Sequence, residues 1–171
     1  MTSQMTPFIR STVAVLLGMT ISYTGVAARA ETLNEQVVGT WSYVSVDTVR
    51  PDGSRQPMFG ANPQGLAIFD GSGHYVLMTS RADIAKFESA NRMKGTPEEN
   101  KSVVQGSIAH FGTYTVDEAD KTITFHVAAS TFPNWNGAEQ KRPFVISGDK
   151  LKWTTSASSG GTAEVVLRRV K

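Results

Sequence analysis

The chain of 171 residues has no cysteine, and its charge is balanced beyond the first 30 residues. Without cysteine it has no disulfide, no thiolate zinc site, no cysteine nucleophile and no lipid-modified N-terminal cysteine. Two of its 17 basic side chains, Arg10 and Arg29, precede residue 31, which leaves 15 basic and 15 acidic groups in the rest. This balance gives no electrostatic reason to expect a nucleic acid or an anionic membrane as partner.

The motifs of common enzyme classes are also missing from the sequence. It has no G-x-S-x-G nucleophile turn, no glycine-rich phosphate loop, no H-E-x-x-H zinc motif and no dinucleotide fingerprint. Its three histidines, His74, His110 and His126, are not at ligand spacing, and no carboxylate accompanies them at such spacing. We therefore expect neither a metal ion nor a cofactor.

Residues 1–30 contain the three parts of a secretory signal in order. Arg10 forms the positive region, residues 11–23 are uncharged and mostly apolar, and Ala28-Arg29-Ala30 is a small-x-small cleavage site. The apolar run is shorter than the roughly 20 residues that span a bilayer. We expect cleavage after Ala30, one domain over residues 31–171, and no stable membrane anchor. The product would be periplasmic in a Gram-negative host, or secreted.

Short runs of alternating or β-branched residues, separated by turn sequences, predict eight strands after the leader. The predicted strands are 37–50, 64–69, 74–80, 108–116, 121–129, 139–147, 151–155 and 163–170. Short links make neighbouring strands antiparallel, and an eight-stranded meander can close into a barrel that holds one small ligand. The predicted fold is therefore all-β, an eight-stranded antiparallel up-and-down barrel.

The third and fourth predicted strands are joined by a helical segment, residues 81–107. Thr96-Pro97-Glu98-Glu99 is a capping box with proline at the first helical position, so it predicts the start of a helix. A shorter helix is predicted over residues 83–89, where Ile84 and Phe87 lie three apart. We expect this segment to lie across one mouth of the barrel as a lid.

Gly39-Thr40-Trp41, at the head of the first strand, resembles the G-x-W motif of lipocalins. The chain is also similar to the bacterial and fungal lipocalin-like domain proteins, a branch of the calycin and lipocalin superfamily. The matching segments are residues 33–49, 62–69, 92–107, 110–117, 132–140 and 160–169. The resemblance implies a calycin-type barrel with Trp41 at its closed base and an arginine, Arg168 or Arg169, stacked on it. The helical segment in mid-chain, rather than after the last strand, departs from ordinary lipocalins.

Polar side chains are concentrated on the fourth to sixth predicted strands, and two arrangements are open. The first surrounds a polar pocket with Tyr114, His126, Gln140 and Arg142. The second fills the core with Ile123, Phe125 and Val127. It leaves His126, Gln140 and Arg142 in solvent. Periodicity alone favours the second arrangement.

Residues outside these strands are further candidates for ligand contact. Arg81, at the start of the lid, is suited to grip a carboxylate or phosphate at two points, or it pairs with an acid such as Asp83. Trp135, in the rigid loop Phe132-Pro133-Asn134-Trp135, either caps a ligand or packs on the rim. Met58 and Phe59 in the first long loop are similar candidates.

Three functions are compatible with these features. The first is an exported barrel, a monomer or weak homodimer, that binds a small, partly apolar ligand. The second is an enzyme for isomerisation, cyclisation or hydrolysis, with His126 or His110 as general acid/base and Tyr114 as proton donor. The third is a structural module whose interior is filled by side chains. A cavity histidine within hydrogen-bond reach of a tyrosine would favour the enzyme; otherwise we expect binding rather than catalysis.

Overall fold

The computed structural model describes residues 29–158 and 160–171, so the predicted signal sequence lies outside the described residues except for its last two positions. The strands are β1 (Gly39–Val49), β2 (Arg55–Pro57), β3 (Gln64–Phe69), β4 (His74–Ser80), β5 (Ser107–Asp117), β6 (Thr122–Ser130), β7 (Glu139–Ser147), β8 (Lys150–Ser156) and β9 (Thr162–Arg169). The helices are α1 (Leu33–Val37) and α2 (Pro97–Gly106), and short 3₁₀ turns cover Arg92–Lys94 and Pro133–Trp135.

Eight of these strands form the predicted antiparallel barrel. Each strand from β3 to β9 pairs with the next, and β1 closes the ring by pairing with β3 on one side and β9 on the other. The predicted all-β, up-and-down fold is confirmed. The short strand β2 was not predicted; it pairs with the end of β1 at residues 47–49, directly after a tight turn.

The two ends of the barrel are built differently. At one end, which we call the base, short turns join β3 to β4, β5 to β6 and β7 to β8. At the other end, which we call the mouth, the longer connections follow β2, β4 and β6. Because loops carry most of the variable contacts of a fold, the mouth is the place to look for a site.

Trp41 closes the base and is fully buried. Its indole nitrogen donates a hydrogen bond to the carbonyl of Val37 at 2.8 Å, and the Arg169 guanidinium lies 4.1 Å from its ring centroid. Arg169 also donates to the carbonyls of Val38, at 2.8 Å, and Gln36. The contact between the ring and the cation therefore links β1 to β9 at the base.

Arg169, and not Arg168, is the arginine that stacks on Trp41. Successive residues of a strand point to opposite faces, so Arg168 is directed outwards, where its Nε lies 3.6 Å from Asp149. Of the two arginines that the resemblance left open, Arg169 therefore takes the stacking position and Arg168 does not, and Gly39 and Trp41 lie at the base. Gly39 has a φ of +134°, and a Cβ there would lie 2.7 Å from Nη1 of Arg169, so glycine leaves room for the stacked cation.

Helix α1 precedes β1 and includes Val37, which the sequence analysis assigned to the first strand. A capping box between Thr32 and Glu35 starts the helix. Glu118, in the turn after β5, accepts hydrogen bonds from the backbone amides of Leu33 and Asn34, both at 2.9 Å. The carboxylate holds the amino end of the helix against the base.

Between β4 and β5 the structure confirms one of the two predicted helices. The Thr96 and Glu99 capping box starts α2 as predicted. Residues 83–89 are irregular, with turns at both ends, and the backbone amide of Glu88 donates to the Glu99 carboxylate at 2.7 Å rather than to a helical carbonyl. Helix α2 lies at the mouth but along its rim, since Val104 lines the groove there and is still 77% exposed.

The interior next to the base is packed with aromatic rings. Ring centroids lie 5.1 Å apart for Phe69 and Tyr114, 4.7 Å for Tyr75 and Phe125, and 5.9 Å for Phe125 and Trp153. Most of these pairs meet edge to face, the favourable geometry for aromatic groups. This half of the barrel is therefore solid, and space remains towards the mouth.

Candidate functional site

The register of the middle strands decides which polar residues face the interior. Tyr114 is paired with Phe125, and Phe125 with Gln140. Residues directly opposite each other in antiparallel strands share a face. Tyr114, Phe125 and Gln140 therefore all point inwards.

Each predicted arrangement of these strands was partly right. Ile123, Phe125 and Val127 are buried in the core, as the second arrangement required. Arg142 is also inside, as the first arrangement required, and is 3% exposed. His126 points outwards, where it lies 3.4 Å from Glu139.

A small cavity of about 60 Å³ lies inside the barrel towards the mouth. Above it a groove of about 610 Å³ runs between α2, the loop after β2 and the loops after β6 and β8. The two spaces share the lining residues Met58, Phe59, Ile108 and Ser158. The two spaces therefore adjoin each other and are together called the depression; the smaller space lies inside the barrel and the larger one at its mouth.

Arg142 is the charged group of the interior cavity. Its guanidinium carbon lies 4.4 Å from the ring centroid of Phe125 and 5.7 Å from that of Trp153, and Nη2 donates to the side-chain oxygen of Gln140. Burial lowers the pKa of Arg142 to about 10, so the group is still protonated at neutral pH. In the part of the chain that the structure describes, no carboxylate forms an ion pair with it.

Three residues that line this cavity each contain a buried polar atom without a hydrogen-bond partner among the described residues. These atoms are Nε of Arg142, Nε1 of Trp153 and Oγ1 of Thr79. Two hydroxyl groups are held in their protonated form nearby: burial raises the pKa of Tyr43 well above its usual range and that of Tyr75 to about 12. The cavity is thus rich in hydrogen-bond donors.

His110 lies on the same wall and pairs with a tyrosine, but not with the predicted one. Its Nδ1 is 2.9 Å from the hydroxyl of Tyr75, and the Trp135 ring meets it edge to face at 5.4 Å. Burial, helped by the nearby charge of Arg142, lowers the pKa of His110 to about 3. The imidazole is therefore neutral at physiological pH.

Of the predicted ligand residues, Arg142 and Trp135 line the cavity, and Gln140 contacts it through Arg142. Tyr114 lies deeper, in the packed half of the barrel, and its hydroxyl donates to the carbonyl of Asp70 at 2.9 Å. That hydroxyl belongs to the aromatic core below the cavity, so the structure does not bring Tyr114 together with the residues that line the cavity.

Two other predicted residues lie away from the cavity. His126 is on the outer face because it alternates along β6 with Phe125 and Val127, which are buried in the core. Arg81 is exposed and forms two hydrogen bonds with the Asp83 carboxylate, at 2.8 and 2.7 Å. Arg81 takes the ion-pair role that the sequence analysis gave as the alternative.

Sequence reasoning missed Tyr43, Thr79 and Trp153 as cavity residues. Tyr43 is two residues beyond Trp41 on β1, so strand alternation from the buried tryptophan could have placed it inside. Trp153 is paired with both Phe144 and Val165. Residues 150–153 of β8 alternate lysine with an apolar residue, so strand alternation could also have placed Trp153 inside.

Two features are absent from the described residues. No group of three or more histidine, aspartate or glutamate side chains is placed to hold a metal ion within residues 29–158 and 160–171. None of the helices in the described part of the chain combines the length and apolar character needed to cross a bilayer.

Several solved structures are similar to this chain at low identity. A lipocalin-like protein from Bacteroides uniformis ATCC 8492 is 11% identical, with 78% of this chain and 97% of that chain covered and a TM-score of 0.43. An uncharacterized protein from Bacteroides eggerthii DSM 20697 is 14% identical, with 78% of this chain and 98% of that chain covered and a TM-score of 0.42. A redesigned β-barrel is 15% identical, with 81% of this chain and 95% of that chain covered and a TM-score of 0.41.

Sequence comparison is more decisive than these structural likenesses. No curated protein matches the chain significantly. The sequence profile of the lipocalin-like domain matches residues 38–168, which include nearly the whole barrel from β1 to β9. The chain belongs to the lipocalin-like domain family.

Proposed function

We propose that the protein is exported and binds a small, partly apolar molecule in the depression at the mouth of its barrel. The observation that carries the proposal is that the interior cavity and the groove at the mouth share four of their lining residues. Small-molecule sites are concave and mostly apolar, with a few placed polar groups. Met58, Phe59 and Ile108 supply apolar surface at the junction, and Arg142 and His110 supply polarity below it.

The two spaces differ in size, and we infer that each holds a different part of the ligand. The interior cavity, at about 60 Å³, accepts a small chemical group. The groove, at about 610 Å³, is within the range of sites that hold drug-sized molecules. The proposed ligand places one end inside the barrel and most of its volume between α2 and the mouth loops.

Titration with N-phenyl-1-naphthylamine, a neutral fluorophore that brightens in apolar surroundings, tests this binding. We expect saturable binding at one site, and weaker binding in Val165→Phe, because Val165 lines the interior cavity and the added ring occupies it. Val166→Phe is the matched control, since this neighbour on β9 does not line the cavity. Binding that is absent, or equal in the two variants, contradicts the proposal.

Export is tested separately, by expressing the full chain in a Gram-negative bacterium. We expect the periplasmic product to have the mass of residues 31–171, because Ala28-Arg29-Ala30 is the proposed cleavage site. Ala30→Leu should block cleavage at this site. A full-length product that stays in the cytoplasm contradicts export without affecting the binding proposal.

Acid–base catalysis in the same cavity is the second candidate, and the His110 and Tyr75 pair favours it. The distance of 2.9 Å suits proton transfer. A general base works best with a pKa near the operating pH, however, and the pKa of His110 is lowered to about 3. We therefore place ligand binding ahead of catalysis.

A further inference from the structure

Three residues that line the interior cavity contain buried polar atoms that have no hydrogen-bond partner among the described residues. Arg142 Nε and Trp153 Nε1 can only donate, and the hydroxyl of Thr79 can donate as well as accept. The three side chains are 3%, 1% and 3% exposed, and all three line the same cavity. Buried polar groups of folded proteins are almost always hydrogen-bonded, so this concentration calls for a partner with free acceptors.

The described residues that line the cavity and the groove carry a single charge, which is positive. Arg142 is the one charged side chain among the described residues that line the cavity and the groove. A buried charge without a counter-charge destabilises a fold, and a hydrophobic residue of similar size would fill the same space without that cost. Packing alone does not explain a guanidinium at this position.

The same barrel contains an arginine that does have a purely structural role, and it is built differently. Arg169 stacks on Trp41 at the base, and two backbone carbonyls, of Val38 and Gln36, accept its hydrogen bonds. Arg142 also stacks on aromatic rings, but a single side-chain amide, that of Gln140, accepts from it and its Nε is left without a partner. Arg169 thus has two carbonyl acceptors, whereas Arg142 has, in the described part of the chain, one acceptor and a nitrogen, Nε, that has none.

The geometry points to a monoanionic amphiphile as the ligand: an organic carboxylate whose head group enters the interior cavity beside Arg142 while its apolar tail lies in the groove. This inference rests on the proposed binding function and names its ligand class. A carboxylate has acceptors and no donor, matches the flat guanidinium in shape, and balances one positive charge with one negative charge. A cavity of about 60 Å³ suits such a compact head group.

The test compares 11-(dansylamino)undecanoate, a carboxylate with a fluorescent tail, with its uncharged methyl ester. At pH 7.4 we expect the wild-type protein to bind the acid at least tenfold more tightly than the ester. Arg142→Met should abolish this preference by weakening binding of the acid, whereas Arg168→Met, which removes an outward-facing arginine, should preserve it.

A second variant makes the test independent of whether Arg142→Met folds. Thr79→Val keeps the size of the side chain but removes the unpartnered hydroxyl. We expect its affinity for the acid to fall at least threefold, with the affinity for the ester unchanged. Circular dichroism at the same pH checks that each variant is folded.

The outcomes separate this inference from the function on which it rests. Equal binding of acid and ester by the wild-type protein overturns the carboxylate proposal but leaves the binding function intact. An undiminished preference for the acid in Arg142→Met, or in Thr79→Val an affinity for the acid that falls less than threefold if the first variant does not fold, overturns the assignment of the head group to this cavity. Binding of neither probe overturns both proposals.

Discussion

Arg142 and His110 line one cavity and burial lowers the pKa of both, yet their charges at neutral pH differ. The guanidinium keeps its proton at neutral pH because burial lowers its pKa only to about 10, whereas the imidazole, with a pKa of about 3, stays neutral. The site therefore has a permanent charge beside a neutral hydrogen-bonding ring, which suits holding an anion better than transferring protons.

His110 should make stability depend on pH in a window that carboxylates hardly affect. Its pKa is about 3 in the folded state and about 6.5 in the unfolded state, so the unfolded chain gains a proton first as the pH falls. The contribution of His110 to the free energy of unfolding is fully present above about pH 6.5 and is lost progressively as the pH falls towards 3. Between pH 7.5 and pH 5.0 we expect a loss of about 2 kcal/mol from this group, at about 1.36 kcal/mol per pH unit below 6.5.

Urea unfolding of the wild-type protein and His110→Gln at these two pH values measures the effect. The variant should lack this contribution, so its loss between the two pH values should be smaller by about 2 kcal/mol. The carboxyl groups of Asp70 and Glu164 have lowered pKa values, so their contributions are lost at lower pH. An equal pH dependence in the two proteins would show that His110 is not neutral in the fold.

Trp41→Ala should destabilise the barrel by about 3–5 kcal/mol, because it leaves a large void at the base. It also removes the ring on which Arg169 stacks and the donor to the Val37 carbonyl. Arg168→Met, a change on the outer face of the same end, should alter stability by less than about 0.5 kcal/mol. Thermal unfolding of both variants checks the placement, and a loss below 1 kcal/mol for Trp41→Ala would be incompatible with it.

At the scale of single elements, the sequence predicted the eight barrel strands and the cap of α2, because strand alternation and capping are local signals. It did not predict which faces point inwards. On β3 and β4 both faces are apolar: Ala67 and Leu77 are buried, but Ile68 and Val76 are 42% and 51% exposed. The extra residue at Ala128 then shifts the phase between β5 and β6, and no local pattern reports such a shift.

Gly112 lies at this irregularity and should not tolerate a side chain. An added Cβ would collide with the backbone of His126 and Ala128 on the adjacent strand. We expect Gly112→Ala to cost about 1–3 kcal/mol or more, as overpacking does. Gly71→Ala, in a turn where nothing lies within 4 Å, is the control and should be neutral or slightly stabilising. Chemical denaturation of the two variants measures the difference, and equal stabilities would contradict the close strand approach.

At the scale of the whole molecule, the closed barrel followed from the number of strands and their short links, but the cavity did not. Its position depends on how far the aromatic core extends from the base, which is set by the sizes and rotamers of side chains from many strands. Tyr75, Phe125 and Trp153 meet there although they are distant in sequence. The sequence analysis named Arg142 as a candidate, but could not show that it lacks an acid partner.

Residues 31–171 should fold as one cooperative unit, because strands from both ends of this segment pair to close the barrel. We expect a chain that starts at Glu31 to give coincident urea transitions by tryptophan fluorescence and by circular dichroism. Transitions that separate would show that the mouth segments unfold independently of the base.

The sealed base has a kinetic consequence for any occupant of the barrel. With Trp41 and α1 closing one end, a molecule enters and departs through the same opening, past Phe59, which is 6% exposed and lines both spaces. Widening that passage by Phe59→Ala should speed association and dissociation together, as stopped-flow fluorescence would show. The residence time of the ligand would then depend on Phe59 at the entrance, and its affinity on the residues around Arg142 below.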